Sequence, residues 1–292
     1  MRRQFIKTLE DILGKDERLV LLLGDIGVFG FRNSLKKFPN RVYNIGILEQ
    51  STLGLAAGLS MQGLIPVVHT IAPFIVERAL EQIKNDFGFQ RLRGNLVSVG
   101  GSYDYAALGC THHCPGDIGI LMNVPEIQIV VPGSAYEFDD LFRQAYANGK
   151  LTYFRLSERS NQNKIPVKFG KAKLIKRGKS ATVIAIGPML ERVLNITKDF
   201  DVTVIYLTTI RPLDTSSLKR NICGNKVIIC EPYYGGSIID QIISVVKRPL
   251  RFDIISVPRK FIDKYGTTED HDERFGFTEK KMFNRIKKFI NE

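Results

Sequence analysis

The stretch VYNIGILEQSTLGLAAGLSMQG, residues 42–63, runs from an apolar segment into a helix rich in small residues, and one carboxylate, Glu49, stands at the junction. VYNIGI (42–47) reads as a buried strand and LGLAAGLSMQG (53–63) as a small-residue helix. A carboxylate buried without a partner costs several kcal/mol, and it usually escapes that cost by taking up a proton. Glu49 is therefore either exposed at a helix start, or its protonation is put to use.

The same alternation of short apolar runs and helical patterns extends in both directions and predicts parallel sheets with crossover helices. In the first half the strand candidates are 19–24, 42–47, 64–70, 95–100, 127–132 and 152–157, with helices near 49–62, 74–87 and 135–148. Pro73 suits the start of the second of these helices. A second series follows, with strands at 181–187, 202–209, 226–232 and 252–258 and helices near 189–199 and 237–247. The fold class is α/β. Residues 1–163 form one domain, 164–178 a basic linker, and 179–292 a smaller α/β domain. Functional loops in such sheets lie at the carboxyl ends of the strands.

A chain of 292 residues suffices for two such cores. No uninterrupted apolar stretch reaches the roughly 18–20 residues of a spanning helix, so no membrane partner is expected. MRRQFIKTLEDILGKD reads as an amphipathic first helix, because Glu10 and Asp11 interrupt any apolar core of a signal peptide. Four unevenly placed cysteines make no disulfide framework, which favours a reducing, cytoplasmic setting. The formal charge is +12, and its densest run, KIPVKFGKAKLIKRGK (164–179), carries seven Lys and Arg and no acid. That run lacks the interleaved aromatics of a single-strand platform and any recognition-helix pattern, so no nucleic-acid partner is expected. Pro166, Gly170 and Gly178 suggest a solvated connector and an edge hairpin.

The loop GGSYDYAALGCTHHCPGD (100–117) is the densest polar cluster. Cys110, His112, His113, Cys114 and Asp117 raise the question of zinc, but adjacent histidines and a C-x3-C without a matching pair have the wrong spacing, and no metal ligand is assigned. Histidines that merely bond backbone groups are the bland alternative. Nothing pairs a particular Cys with a base. GDIGVFG (24–30) follows a strand but lacks the G-x-G-x-x-G spacing, so it reads as a turn.

Taken in order, NIGILEQSTLGLAAGLSMQGLIPVV, the Phe-bearing helix start and GCTHHCPGDIGILMNVPEIQIVVP resemble the pyrimidine-binding domain of transketolase. Deoxyxylulose-phosphate synthase and the beta subunits of 2-oxo-acid dehydrogenases share the pattern. IAIGPMLERVL, LTTIRPLD and IICEPYYGGSIIDQI resemble the C-terminal domain of those enzymes. The resemblance implies that Glu49 hydrogen-bonds N1′ of the aminopyrimidine of thiamine diphosphate and tunes its acid–base state, with Ile47 beside it. It implies Phe74 as the ring against the pyrimidine, an ordinary core Phe being the alternative. His112, after Thr111, takes the place of a substrate-facing histidine. The family's sugar-reading Asp falls at Leu108, a second histidine at Gly100, and the phosphate-binding Arg at Glu158, with Arg155 and Arg159 beside it as candidate substrate ligands.

The family's diphosphate motif, G-D-G with a downstream Asn for Mg²⁺, is absent from the chain. The resemblance therefore implies the C-terminal, beta-type half of a split enzyme. Its partner would be a separate alpha-type subunit holding Mg²⁺ in a shared thiamine-diphosphate site, within a heterotetramer around a beta dimer. The implied activity is transfer of a two-carbon ketol unit between sugars. Two rivals are a 2-oxo-acid decarboxylase or acyloin-forming synthase subunit, and a scaffold paralogue without chemistry.

Overall fold

The computed structural model describes residues 1–292 and contains two sheets. The first is built from β1 (Leu19–Leu23), β2 (Val42–Asn44), β3 (Ile65–Ile71), β4 (Gly94–Val99), β5 (Gln128–Val130) and β6 (Leu151–Arg155). The second contains β7 (Lys173–Lys176), β8 (Ala181–Ile186), β9 (Val202–Leu207), β11 (Lys226–Tyr234) and β12 (Arg251–Val257); the short β10 (Thr209–Arg211) lies between β9 and β11 in sequence. The strand orders are β10-β5-β6-β4-β3-β1-β2 and β12-β11-β8-β9-β7. All neighbours pair in parallel except β10 on β5 and β7 on β9. Strands such as β1, β3, β4, β6, β8 and β9 are buried along their whole length, as strands covered by helices on both faces require. No helix is long and apolar enough to cross a membrane.

β10 follows β9 in sequence yet adds an antiparallel edge to the first sheet, pairing Thr209 with Val130 and Arg211 with Ile129. Arg211 Nη1 then donates to the carbonyls of Met122 and Val124. The segment expected to be one strand over 202–209 is therefore split between two sheets. One hydrophobic cluster accordingly runs through both halves, joining Ile129 and Val131 to Ile186, Ile205 and Leu207.

Three expectations need correction. The strand expected over 42–47 ends at Asn44, whose side-chain oxygen accepts from the backbone of Asp25 and Gly46. Gly46 turns the chain at φ +86°, and Ile47 and Leu48 are 66% and 56% exposed, while Glu49 is 4% exposed. Only an edge strand pairing β1 alone is available here, so the apolar residues have no second neighbour to cover them. The helix expected over 74–87 is broken into Ala72–Val76, Leu80–Gln82 and a π-helical turn Ile83–Phe89. Arg78 N bonds back five residues to the carbonyl of Pro73, widening the turn, a distortion common at functional sites. The basic run expected to be a solvated linker with an edge hairpin supplies the antiparallel edge strand β7, and that part of it is half-buried in the second sheet rather than a free connector.

The second sheet ends in a buried carboxyl with a testable consequence. Glu231 on β11 is fully buried, accepting from Gly236 N at 2.5 Å and from Ser237 Oγ at 2.8 Å. Burial pushes it up to about 7, against the pull of those donors. Its folded value lies above the ~4.3 of an unfolded Glu. Its contribution to stability is therefore complete below ~4.3 and is lost as pH rises through about 7. Urea midpoints at pH 5 and pH 8 should differ less in Glu231→Gln than in the parent chain, by an amount on the order of 3 kcal/mol. Equal slopes would refute the assignment.

Candidate active site

The carboxyl ends of β2, β3 and β4 bring four of the elements singled out in the sequence to one place. Glu49 opens the helix Glu49–Met61, in the first turn where the helix dipole favours a negative charge. Leu53, Ala56 and Ala57 of that helix are buried, which turns Glu49 inward. Arg78 Nη1 donates to Glu49 Oε2 at 2.7 Å, while Glu49 Oε1 is buried without a partner. The Arg78 guanidinium lies 4.3 Å over the Phe74 ring. That ring meets the His112 imidazole edge-on at 5.4 Å, and Tyr105 meets His112 from another side at 6.3 Å. Thr111 Oγ1 lies 3.0 Å from His112 Nδ1. A carboxylate with one free buried oxygen thus shares a cluster with a partly accessible Phe and a partly accessible His.

Arg78 and Tyr105 were not singled out in the sequence. Arg78 stands four residues after Phe74, the spacing that puts two side chains on one helical face, but the widened turn that aims it at Glu49 leaves no such mark. Tyr105 lies in the loop that carries His112.

Arg155, expected to bind substrate, is 1% exposed and belongs to the interior. Its Nε donates to Asp117 Oδ2 at 2.6 Å and its Nη2 to Ser102 Oγ at 2.7 Å, with the guanidinium 5.5 Å over Tyr233. Tyr153 adds a hydroxyl donation to Asp117 Oδ2 at 2.9 Å. Gly101 gives the guanidinium its room: a Cβ there would stand 2.6 Å from Arg155 Cζ. The corrected role is to clamp the loop 100–117 at both ends. Asp104 in the same loop accepts from Ser157 Oγ and Glu158 N at 3.1 Å each, and burial pushes it up to about 6 against the pull of Arg155.

Arg159, the other candidate, is also engaged. It pairs with Asp272 at 2.5 Å and lies over the Tyr103 ring at 5.3 Å. Asp272 further accepts from Arg192 and from the Tyr103 hydroxyl. Arg159 ties the loop after β6 to the helix Thr268–Phe275 and stands apart from the Glu49 cluster. Ile47, 66% exposed, is open at the surface two residues before Glu49. Cys114 is buried against Glu77 at 3.5 Å, and burial raises its thiol well above the usual range, which leaves it unreactive. No group of three His, Cys, Asp or Glu side chains is arranged to hold a metal.

Fold and sequence together define a protein of the thiamine-diphosphate-dependent transketolase class, with a pyrimidine-binding domain followed by a C-terminal domain. Residues 1–163 match the family model "Transketolase, pyrimidine binding domain", and residues 170–282 match "Transketolase, C-terminal domain". The chain belongs to the transketolase family. It is 38% identical to an uncharacterized 33.6 kDa protein in the fasciation locus of Rhodococcoides fascians, over 98% of this chain and 93% of that protein. It is 29% identical to a subunit of the apulose-4-phosphate transketolase of Actinobacillus succinogenes, over 74% of each chain. A solved structure described as a split gene transketolase, in an inactive beta4 tetramer, has the same fold at TM-score 0.86 and 24% identity, over 99% of this chain and 97% of that one.

Proposed function

We propose that this chain is the beta-type subunit of a split transketolase-like enzyme that moves a two-carbon ketol unit between sugars. The observation that carries the proposal is the free, buried Oε1 of Glu49 beside Phe74 and His112. An orphaned, buried carboxyl oxygen fits the ring nitrogen of an aminopyrimidine, which can share a proton with it. Thiamine diphosphate, when bound, supplies the electron sink for cleavage and formation of the carbon–carbon bond.

The residues of this chain divide the remaining work. Glu49 holds a proton at the pyrimidine end of the cofactor. Phe74 offers a face for the pyrimidine ring, and His112 exchanges protons with substrate oxygens. Arg155 and Asp117 hold the His112 loop in position.

A separate alpha-type chain would supply the diphosphate site and Mg²⁺, since this chain contains no G-D-G. The full-length match to separately encoded relatives supports this reading. Self-association as a beta dimer is favoured by the exposed face of the helix Glu49–Met61, where Leu55 and Met61 flank Gly54 and Gly58.

The test is reconstitution. The chain alone is expected to turn over no ketose, and addition of an alpha-type chain carrying G-D-G should restore cofactor-dependent ketol transfer. Turnover by the isolated chain would refute the split. Carbon dioxide release from a 2-oxo acid, without ketol transfer, would identify the decarboxylase rival. Cofactor binding by the complex with neither activity would leave the scaffold reading.

A further inference from the structure

His112 and His113 are neighbours in the loop 100–117, but their rings meet different partners. His112 is partly accessible and faces Phe74 and Tyr105. His113 is buried and meets His271 of the helix Thr268–Phe275 edge-on, with ring centroids 5.5 Å apart. His271 is fully buried, packing on Tyr103 at 5.2 Å and stacking on Phe275 at 5.9 Å. The loop belongs to the pyrimidine-binding domain and the helix to the C-terminal domain, so the two imidazoles meet on the boundary between them.

Backbone bonds between Ser102 and Cys114 close the base of the loop, and residues 103–113 form the excursion beyond it. The C-terminal domain meets that excursion at three places. Asp272 accepts from the Tyr103 hydroxyl at 2.7 Å, Tyr265 lies against the backbone of Gly109, and His271 receives His113. The third contact is the one nearest in sequence to His112. It fixes the residue beside the histidine assigned above to proton exchange, and a displacement of about 1 Å at a reacting group can lower a rate about 100-fold.

Packing alone would be served by two apolar rings. Instead all four ring nitrogens of His113 and His271 are buried without a hydrogen-bond partner, and such unsatisfied groups call for an explanation. Burial holds both imidazoles below the ordinary histidine range, helped at His113 by His271 and His112 and at His271 by Arg274. The nearby carbonyls of Tyr105 and Ala106 at His113, and that of Ala106 with Asp270 and Asp272 at His271, oppose the shift without reversing it. Glu77 and Arg259 line a cavity beside His113. In the unfolded chain both histidines titrate near ~6.5, so their contact is complete above that pH and weakens as pH falls below it.

We propose that His271 of the C-terminal domain is a positioning residue for His112: it holds the loop through His113, and the grip lasts only while both rings are uncharged. The grip rests on packing within this chain; proton exchange at His112 rests on the transketolase reading above.

Hydrogen exchange of the full chain alone reads the loop, and turnover of the reconstituted complex reads the chemistry. In the parent, protection of residues 103–113, corrected for intrinsic exchange, should fall about tenfold or more between pH 8 and pH 5.5. His271→Ala should lose that protection already at pH 8. In His271→Phe, which keeps a ring and takes no proton, the fall should shrink to about threefold or less. His271→Gln, likewise uncharged, replaces it if the larger ring disturbs the fold. Asp104 of the same loop titrates at about 6 and His69 on β3 at about 4, and both are common to parent and variants, so the difference between them isolates the pair. In the complex at pH 8, His271→Ala should lower kcat about tenfold or more, with cofactor affinity within about twofold of the parent, and His271→Phe should recover most of the loss. An unchanged kcat in His271→Ala, or a loss shared equally by kcat, cofactor affinity and unfolding midpoint, would overturn the proposal. So would a pH response of the loop equal in parent and His271→Phe. A loop that responds as expected, in a complex that transfers no ketol unit, would support the grip and remove the transketolase reading.

Discussion

In the reconstituted complex, Glu49→Gln is expected to lower turnover by about 100- to 10,000-fold, the range for loss of a positioned acid–base group. The substitution preserves side-chain shape, and the amide oxygen can still accept from Arg78, so the fold should stand. It removes the ability of the free buried oxygen to bear charge or share a proton with a ring nitrogen. Unfolding midpoints should stay within about 1 kcal/mol of the parent, while cofactor affinity, measured by fluorescence quenching or circular dichroism, weakens together with turnover. Loss of less than tenfold would remove Glu49 from the acid–base chemistry. Equal loss of stability and activity would return it to a structural ion pair with Arg78.

Arg155→Met should destabilise the chain by about 3–5 kcal/mol, because it leaves Asp117 as a buried carboxylate without its cation. Arg155 and Asp117 are 1% and 0% exposed, so solvent cannot replace the lost partner. The double variant Arg155→Met/Asp117→Leu should cost less than the sum of the single changes, since it removes both charges. The two ends of the His112 loop are fixed by this pair, through Ser102 on one side and Asp117 on the other. Denaturant midpoints, with proteolysis of the 100–117 loop as a second measure, test both claims. A cost under 1 kcal/mol for Arg155→Met would show that the guanidinium is not needed for the fold and return it to the substrate.

Much of this was legible from one sequence. Short continuous apolar runs such as LVLLL and ATVIAI, too short for helices, read as strands covered on both faces, and the intervening periodic segments supply the covering helices. Glu49 was legible because a lone acid amid apolar residues demands a reason. The extent of 42–47 was not. An apolar run indicates a wish to be covered, but whether it has one neighbour or two is decided by strand order, and β2 is at the edge. The split of 202–211 between two sheets was hidden for the same reason, since nothing local to the sequence says that β10 leaves the sheet of β9 to pair with β5.

Charge was the least legible feature. Arg155 and Arg159 look alike in FRLSERS, yet one is sealed against Asp117 and the other pinned to Asp272. Alternation along a strand gives the side of a residue, not the partner that meets it, and a partner 38 residues away is chosen by the sheet. Sequence by itself determined the family, the two α/β halves and the acid at the strand–helix junction, because those follow from local pattern and from residue types that burial rarely tolerates. Only the tertiary structure decided that Arg78 reaches Glu49 and that Arg155 is spent on the loop. Each depends on packing between segments distant in the chain, where burial and pairing are set by the assembled sheets.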